Sequence, residues 1–203
     1  MPDRGIAILG YGSLIWDLDS LAPHVEGAWR MAAGPALPME FSRISKKRRM
    51  GLVVCLDPEH GAPCPTHAIR SARQDIAEAA QDLARREHAP LSRIGSVCMK
   101  TGRRNGRLPE ITARISQWCR QAGWAGAVWA DLDPNFHTVT GADFTLPRAL
   151  AYLQQLDGAS LEEAVRYIAL APAATDTPLR RALAGTSWWR AACAARGLPV
   201  GGR

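Results

Sequence analysis

Short apolar runs separated by turn residues dominate the first two thirds of the chain. The runs are rich in Ile, Val and Leu, and Gly, Pro, Asp or Asn residues commonly close them. Runs of this kind are typical of strands that are at least partly buried. We therefore predict strands within residues 6–9, 29–45, 51–56, 63–69, 94–100 and 125–132.

Apolar residues at helical spacing predict helices in the middle and in the C-terminal part of the chain. The first predicted helix begins at Ser71, with Gln74 as its capping-box partner. Its apolar stripe comprises Ile76, Ala79, Ala80, Leu83 and Ala84. A second helix is predicted from Pro109 to a stop at Gly123. Three later helices are predicted to begin at Thr145, at the Ser160–Glu163 capping box and at Thr177.

The order of these elements indicates an α+β fold. Strands come first and then mix with helices, without the regular alternation of a doubly wound parallel sheet. We predict a small mixed β-barrel or sheet with flanking helices, followed by a helical C-terminal tail over about residues 145–203. No internal repeat or low-complexity linker divides the chain, so residues 1–203 are predicted to form a single domain.

Length and composition are those of an ordinary globular protein, with 203 residues, 47% hydrophobic and 22% charged. No run approaches the ~20 apolar residues needed to span a bilayer, and the first residues do not have the pattern of an export signal. Five cysteines, an odd number without an export signal, indicate reduced thiols. We therefore expect a cytoplasmic protein with no membrane partner.

A glycine-rich heptapeptide, GYGSLIW at residues 10–16, directly follows the first predicted strand. It is not a dinucleotide-binding fingerprint, because Ile15 occupies the third glycine position and Arg30 stands where an acidic residue is needed. Its two glycines allow positive φ, so successive N–H groups can converge on an anion, and Ser13 adds a hydroxyl donor. The alternative is a tight turn that only links two elements.

One carboxylate lies on the apolar side of the first predicted helix. Glu87 is 11 residues after Ile76, which at 100° per residue is about 20° away from it, so Glu87 continues the apolar stripe. Glu78 and Asp82 are predicted on the polar side. An apolar setting raises the pKa of a carboxyl group by desolvation and suits it to general acid/base work. The alternative is that the helix frays before Glu87, ahead of Pro90, and that the side chain reaches water.

The heptapeptide resembles the YGSL signature of the γ-glutamyl cyclotransferase-like fold, nearest to its ChaC-type, glutathione-cleaving branch. In that family a downstream helix ends in a catalytic glutamate within a leucine-x-x-arginine-glutamate pattern, to which residues 83–87, LARRE, are similar. The order of glycine loop, strands, helix, glutamate and strand also agrees. After Glu87 the chain departs from the family, because HAPL replaces its glycines and tyrosine. From about Leu108 onward no family motif is present.

The resemblance implies an enzyme of the C–N lyase or acyl-transfer type. It implies cyclisation of the γ-glutamyl group of glutathione, or of another γ-glutamyl amine, to 5-oxoproline with release of the amine. Tyr11, Gly12, Ser13 and Leu14 would bind the carboxylate end of this small substrate, and Glu87 would be the general acid/base. No metal and no organic cofactor are expected. The alternative is a member of the same fold that binds an acidic metabolite or a peptide end without catalysis.

A formal net charge of +6 raises the question of an anionic partner. Basic residues concentrate in two loop-like clusters, residues 43–49 and 103–107, which lack interleaved aromatic residues apart from Phe41. Solvated loops explain them better than a nucleic-acid surface, so nucleic acid is the weakest of the three hypotheses. Arg43 alternates with Phe41, and we predict that it pairs with a substrate carboxylate. A metal site is not expected from the remaining candidates, which lack zinc-site spacing: Cys55, His60, Cys64 and His67.

Overall fold

The structure is a computed structural model that describes residues 5–201. Within them the strands are β1 (Ile6–Gly10), β2 (Val25–Arg30), β3 (Ala36–Ser45), β4 (Gly51–Leu56), β5 (Ala62–Pro65), β6 (His67–Ser71), β7 (Ile94–Cys98), β8 (Arg104–Asn105) and β9 (Gly126–Ala130). The α-helices are α1 (Ile76–Glu87), α2 (Pro109–Ala122), α3 (Phe136–Thr140), α4 (Leu146–Gln155), α5 (Gly158–Leu170), α6 (Pro178–Ala184) and α7 (Ser187–Ala194). Three short 3-10 helices span Gly12–Ile15, Asp19–His24 and Leu91–Arg93. The α+β prediction is confirmed.

The described chain divides into two compact units. The first comprises residues 5–10, 14–36 and 65–132, and the second comprises residues 11–13, 37–64 and 133–201. The predicted single domain, 1–203, stays a prediction. Residues 1–4, on which the prediction of no export signal partly depends, lie outside the described residues.

A six-stranded mixed sheet in the order β2-β6-β1-β9-β7-β8 forms the centre of the first unit. β1 is antiparallel to β6 and parallel to β9, with Leu9 opposite Trp129. All five residues of β1 are buried, as are those of β9, which explains why both read as continuous apolar runs. In residues 5–201 this sheet is open at β2 and β8, and the second sheet is open at β4 and β5, so the strands form sheets and not a closed barrel.

Helix α1 packs on this sheet through the predicted apolar stripe. Leu83 and Ala79 lie in one cluster with Ile8 of β1, Ile69 of β6 and Val128 of β9. The predicted start of the helix at Ser71 was wrong, because Ser71 is the last residue of β6 and pairs with Val25 of β2. Asp75 caps the helix instead, and its carboxylate accepts the backbone N–H groups of Ala77 and Glu78.

The second unit combines the three-stranded sheet, in the order β4-β3-β5, with the helices of the C-terminal part. Phe41 of β3 meets Tyr167 of α5 edge to face, at 6.3 Å between ring centroids. The fully buried Glu40 accepts the backbone N–H of Leu179 at the start of α6, at 3.0 Å. The predicted helical tail is therefore present, and its helices pack within the same compact unit as the strands.

Two of the three predicted helix starts in this tail are confirmed. The hydroxyl groups of Thr145 and Thr177 accept backbone N–H groups at the starts of α4 and α6. The capping box at Ser160 was wrong, because α5 already begins at Gly158. Glu163 forms ion pairs with Arg48, at 2.9 Å, and with Arg166, at 3.1 Å, instead of returning to the helix start.

None of the helices found within residues 5–201 combines the length and the apolar composition that a membrane span requires.

Candidate functional site

The glycine motif begins where β1 ends and continues into the 3-10 helix Gly12–Ile15. Gly12 has a positive φ of 69°, as the prediction requires. A Cβ at Gly12 would lie 2.6 Å from the Tyr167 hydroxyl oxygen and 2.6 Å from Val54 Cγ1, so any other residue here would force these side chains to shift. Tyr11 and Ser13, on either side of Gly12, are buried.

Gly10 has a different structural role from the predicted one. Its φ is not positive. A Cβ at this position would overlap the Trp29 ring and lie 2.8 Å from Ile15 Cδ1. The first glycine of the motif is thus explained by close packing inside the first unit, and the second glycine by backbone conformation and packing together.

Leu14 connects the motif to α1 within the first unit. Its side chain is 2% exposed and belongs to the same apolar cluster as Leu83 and Ala84, which lie one turn before the end of α1. Burial of a leucine side chain contributes about 1.5–3 kcal/mol. The apolar residue of the motif therefore helps to hold the helix that carries the predicted catalytic glutamate.

Glu87 is the last residue of α1, immediately before His88, which ends the helix in the left-handed conformation. The helix therefore does not fray before Glu87. The Glu87 side chain is 16% exposed, so it lies at the margin of the apolar stripe and not within it. The helix ends here, and no further turn covers the carboxylate.

A buried arginine orients the Glu87 carboxylate. Nη1 of Arg86 donates to Oε1 of Glu87 at 2.9 Å, and Nη2 of Arg86 donates to the backbone carbonyl oxygen of Asp17 at 2.6 Å. The Arg86 side chain is 3% exposed. A guanidinium fixed on a carbonyl is a directional donor, so the carboxylate beside it has a defined position. The sequence analysis did not identify Arg86 as a site residue. Its position next to Glu87 in the chain was the signal that could have identified it.

Asp82 is the acid of α1 that sequence reasoning placed wrongly. It is 2% exposed instead of lying on a polar side. Its carboxylate accepts Nε of Arg73 at 2.7 Å and also pairs with Arg85, while Nε2 of His24 lies 3.8 Å away. Helical periodicity describes the faces of a single helix and not the residues that pack against it. Here residues from outside α1 cover the side that was predicted to be polar and exposed.

Arg43 lies in the second unit, where its guanidinium binds Asp133. Its Nη1 donates to the carbonyl oxygen of Asp133 at 2.5 Å and to Oδ1 of Asp133 at 3.1 Å. The side chain is about a quarter exposed. The predicted pairing with a substrate carboxylate stays a prediction, and it would require Arg43 to exchange its present partner.

The set of cysteines and histidines considered for a metal has other partners. Sγ of Cys55 lies 3.3 Å from the Ser42 hydroxyl oxygen, and burial raises the pKa of the Cys55 thiol to about 12. Nδ1 of His60 lies 3.3 Å from Oδ2 of Asp57. Nδ1 of His67 accepts the backbone N–H of Ala32 at 2.8 Å, and burial lowers the pKa of this imidazole. Across residues 5–201 no three or more His, Cys, Asp or Glu side chains form a group that could hold a metal ion.

The basic cluster at residues 43–49 contributes to the fold of the second unit. Besides its ion pair with Glu163, the Arg48 guanidinium lies over the Tyr167 ring, 5.5 Å from the ring centroid. Arg43 and Arg48 are thus bound within the protein and are not a solvated charge run.

The fold defines the class of protein as α+β with mixed sheets. No family model, no curated protein and no solved structure matches the chain. Of the predicted site residues, Leu14 and Glu87 lie in the first unit, and Leu14 shares an apolar cluster with Leu83 and Ala84 of the helix that ends at Glu87. Tyr11, Gly12, Ser13 and Arg43 lie in the second unit.

Proposed function

We propose that this protein cyclises the γ-glutamyl group of glutathione, or of another γ-glutamyl amine, to 5-oxoproline and releases the amine. The sequence GYGSLIW and the LARRE pattern downstream of it support the proposal through their resemblance to γ-glutamyl cyclotransferases. The observation that carries it is the contact of Arg86 with the Asp17 carbonyl. This contact ties the end of α1, with Glu87, to the segment that follows the glycine motif.

The proposed reaction transfers one proton within the substrate. The α-amino nitrogen attacks the γ-carbonyl carbon, a C–N bond closes the five-membered lactam, and the bond from the γ-carbon to the leaving amine breaks. Glu87 takes the proton from the attacking nitrogen and returns it to the leaving nitrogen. Because the attack is intramolecular, binding the substrate in a curled conformation supplies much of the rate.

Tyr11, Gly12, Ser13 and Leu14 bind the carboxylate end of the γ-glutamyl group in this proposal. The positive φ of Gly12 and the 3-10 helix that begins there turn successive N–H groups, which suits an anion. Donors of this loop that the carboxylate leaves unoccupied stabilise negative charge that develops on the γ-carbonyl oxygen.

Release of 5-oxoproline tests the proposal. The purified protein is incubated with glutathione and, separately, with γ-glutamylalanine, and the product is quantified by mass spectrometry. We expect turnover by the wild type and a loss of about a hundredfold or more in Glu87→Gln, because general acid/base catalysis contributes about 10²–10⁴. Glu78→Gln is the matched control, since Glu78 is an exposed glutamate of the same helix.

Two outcomes would contradict the proposal. A folded Glu87→Gln variant with full turnover would remove Glu87 from its role. A γ-glutamyl compound that raises the Tm of the protein without being consumed would favour a binding module of the same fold.

A further inference from the structure

A cavity of about 380 Å³ lies in the first unit, at the end of α1 opposite to Glu87. Its walls are the first turns of α1, the strands β7 and β8, and the turn that joins these strands. Because an α-helix rises 1.5 Å per residue, Ile76 in the cavity wall and Glu87 are about 16 Å apart along the helix. The Ile76 side of the cavity is therefore distant from the Glu87 carboxylate, whereas Leu91, four residues after Glu87, borders the cavity at its other side.

The floor of the cavity is apolar. Ile76 and Ala80 contribute from α1, and Ile94 contributes from β7. Ile94, Ser96 and Cys98 alternate along β7, so all three side chains lie on the side of the strand that faces the cavity. Leu91 lies at the edge with 48% of its surface exposed, which adds an apolar side chain that a ligand can cover.

The rim of the cavity is cationic. Arg103 and Arg104 line it with exposed side chains, and among residues 5–201 no carboxylate forms an ion pair with either guanidinium. Lys100 lines an adjoining depression that shares Ile76 with the cavity. The nearby Asp75 carboxylate accepts backbone N–H groups as the cap of α1, and it forms no ion pair with Arg103 or Arg104 among the described residues.

Hydrogen-bond donors also converge on the wall between the floor and the rim. Partial burial raises the pKa of the Cys98 thiol, but hydrogen bonds from the Thr101 hydroxyl and from the backbone N–H groups of Thr101 and Lys100 outweigh it, and the net pKa is lowered. The Asn105 side-chain amide donates to the Ile94 carbonyl oxygen at 3.1 Å, which fixes the two-residue strand β8 beside β7.

We propose that this cavity binds a small amphipathic anion. Its carboxylate or phosphate group pairs with Arg103 and Arg104, and its short apolar body covers Ile76, Ala80 and Ile94. The volume is within the range of small-molecule sites, which starts at about 300 Å³. Selective binding requires both the apolar floor and the cationic rim. An apolar floor without charge would bind a neutral ligand equally well. Exposed arginines without an apolar floor would not select one anion over another.

Binding is measured by isothermal titration calorimetry, and the site is located by chemical-shift changes in ¹H–¹⁵N spectra. The probes are phenylbutyrate and phenylbutyl phosphate, with phenylbutanol and phenylbutylamine as the neutral and cationic counterparts. We expect saturable binding of at least one anion, with shifts at residues 94–98 and 103–105. The two anions distinguish a carboxylate site from a phosphate site.

Two sets of variants test the two halves of the cavity. Arg103→Gln/Arg104→Gln is expected to weaken the anion about tenfold, since each partly exposed ion pair contributes up to about 1 kcal/mol. Arg120→Gln/Arg190→Gln removes the same net charge from exposed helix positions and is expected to leave binding unchanged. Ala77→Leu places a larger side chain at the exposed edge of the cavity and is expected to weaken the anion as well.

Three results would overturn the proposal. These are equal affinity for phenylbutanol and the two anions, unchanged affinity in the double arginine variant, and shifts that map elsewhere in the chain. The proposal does not depend on the cyclisation reaction. The release of 5-oxoproline is measured in a separate assay, and a negative result there would leave the proposed anion site unaffected.

Discussion

Substitution of Gly12 by alanine tests how the glycine motif is built. The left-handed conformation at φ 69° costs a residue with a Cβ about 1–2 kcal/mol. The new Cβ would also lie 2.6 Å from both the Tyr167 hydroxyl oxygen and Val54 Cγ1, and overpacking of this kind costs about 1–3 kcal/mol. We therefore expect Gly12→Ala to lower the free energy of unfolding by about 2–5 kcal/mol.

Two other glycines separate these contributions. Gly141 also has a positive φ, 74°, but no atom lies within 4 Å of its Cβ position. Gly141→Ala should therefore cost only the backbone part, about 1–2 kcal/mol. Gly10 has no positive φ but close neighbours, so Gly10→Ala should cost only the packing part, about 1–3 kcal/mol.

The assay is urea denaturation followed by far-ultraviolet circular dichroism, with the slope m compared between variants. The double variant Gly12→Ala/Tyr167→Phe completes a mutant cycle, because it removes the hydroxyl group that the new Cβ meets. The double variant should lose less stability than the sum of its two single variants. If Gly12→Ala costs no more than Gly141→Ala, the close approach of Tyr167 and Val54 to the motif is refuted.

Two buried acids give further predictions. Burial raises the pKa of Glu40 above its ordinary value of 4.5, so the folded state holds this proton more tightly than the unfolded state. Relative to Glu40→Gln, the wild type should therefore lose stability as the pH rises from about 4.5 through the folded-state pKa; a stability difference that stays constant in urea titrations between pH 4 and 8 would contradict this. Asp82→Asn should cost about 1.5–3 kcal/mol in thermal and urea unfolding, because it removes the charge that Arg73 binds at 2.7 Å, whereas Glu110→Gln on the exposed surface should stay within about 0.5 kcal/mol of the wild type.

The fully buried strands were the elements that sequence reasoning predicted best. Residues 6–9 and 51–56 form β1 and β4 almost as predicted, because strands with every residue buried are apolar throughout. The boundary between β6 and α1 was missed by five residues. Ser71 has the chemistry of a helix cap, but its partner across the sheet is Val25, and pairing between distant segments is not visible in a local pattern.

For the candidate site, the sequence suggested candidate residues but not the contacts that hold them. Leu83 and Ala84 of the predicted apolar stripe are buried, whereas Glu87 at its end keeps 16% of its side chain exposed. The contact of Arg86 with the Asp17 carbonyl joins residues 69 positions apart, and a local sequence pattern cannot predict a contact over that separation. The burial of Asp82 was missed for the same reason.

The central position of β1 in its sheet determines how late in synthesis the first unit can complete this sheet. β1 pairs with β6 on one side and with β9 on the other. Trp129, the parallel partner of Leu9, is synthesised 120 residues after Leu9. On a ribosome that adds 5–20 residues per second, this takes roughly 6 to 24 s. Both edges of β1 are unpaired until β6 has been synthesised, and the edge that pairs with β9 stays unpaired until the end of that interval. The yield of folded protein should therefore respond to translation speed and to chaperones that shield nascent chains.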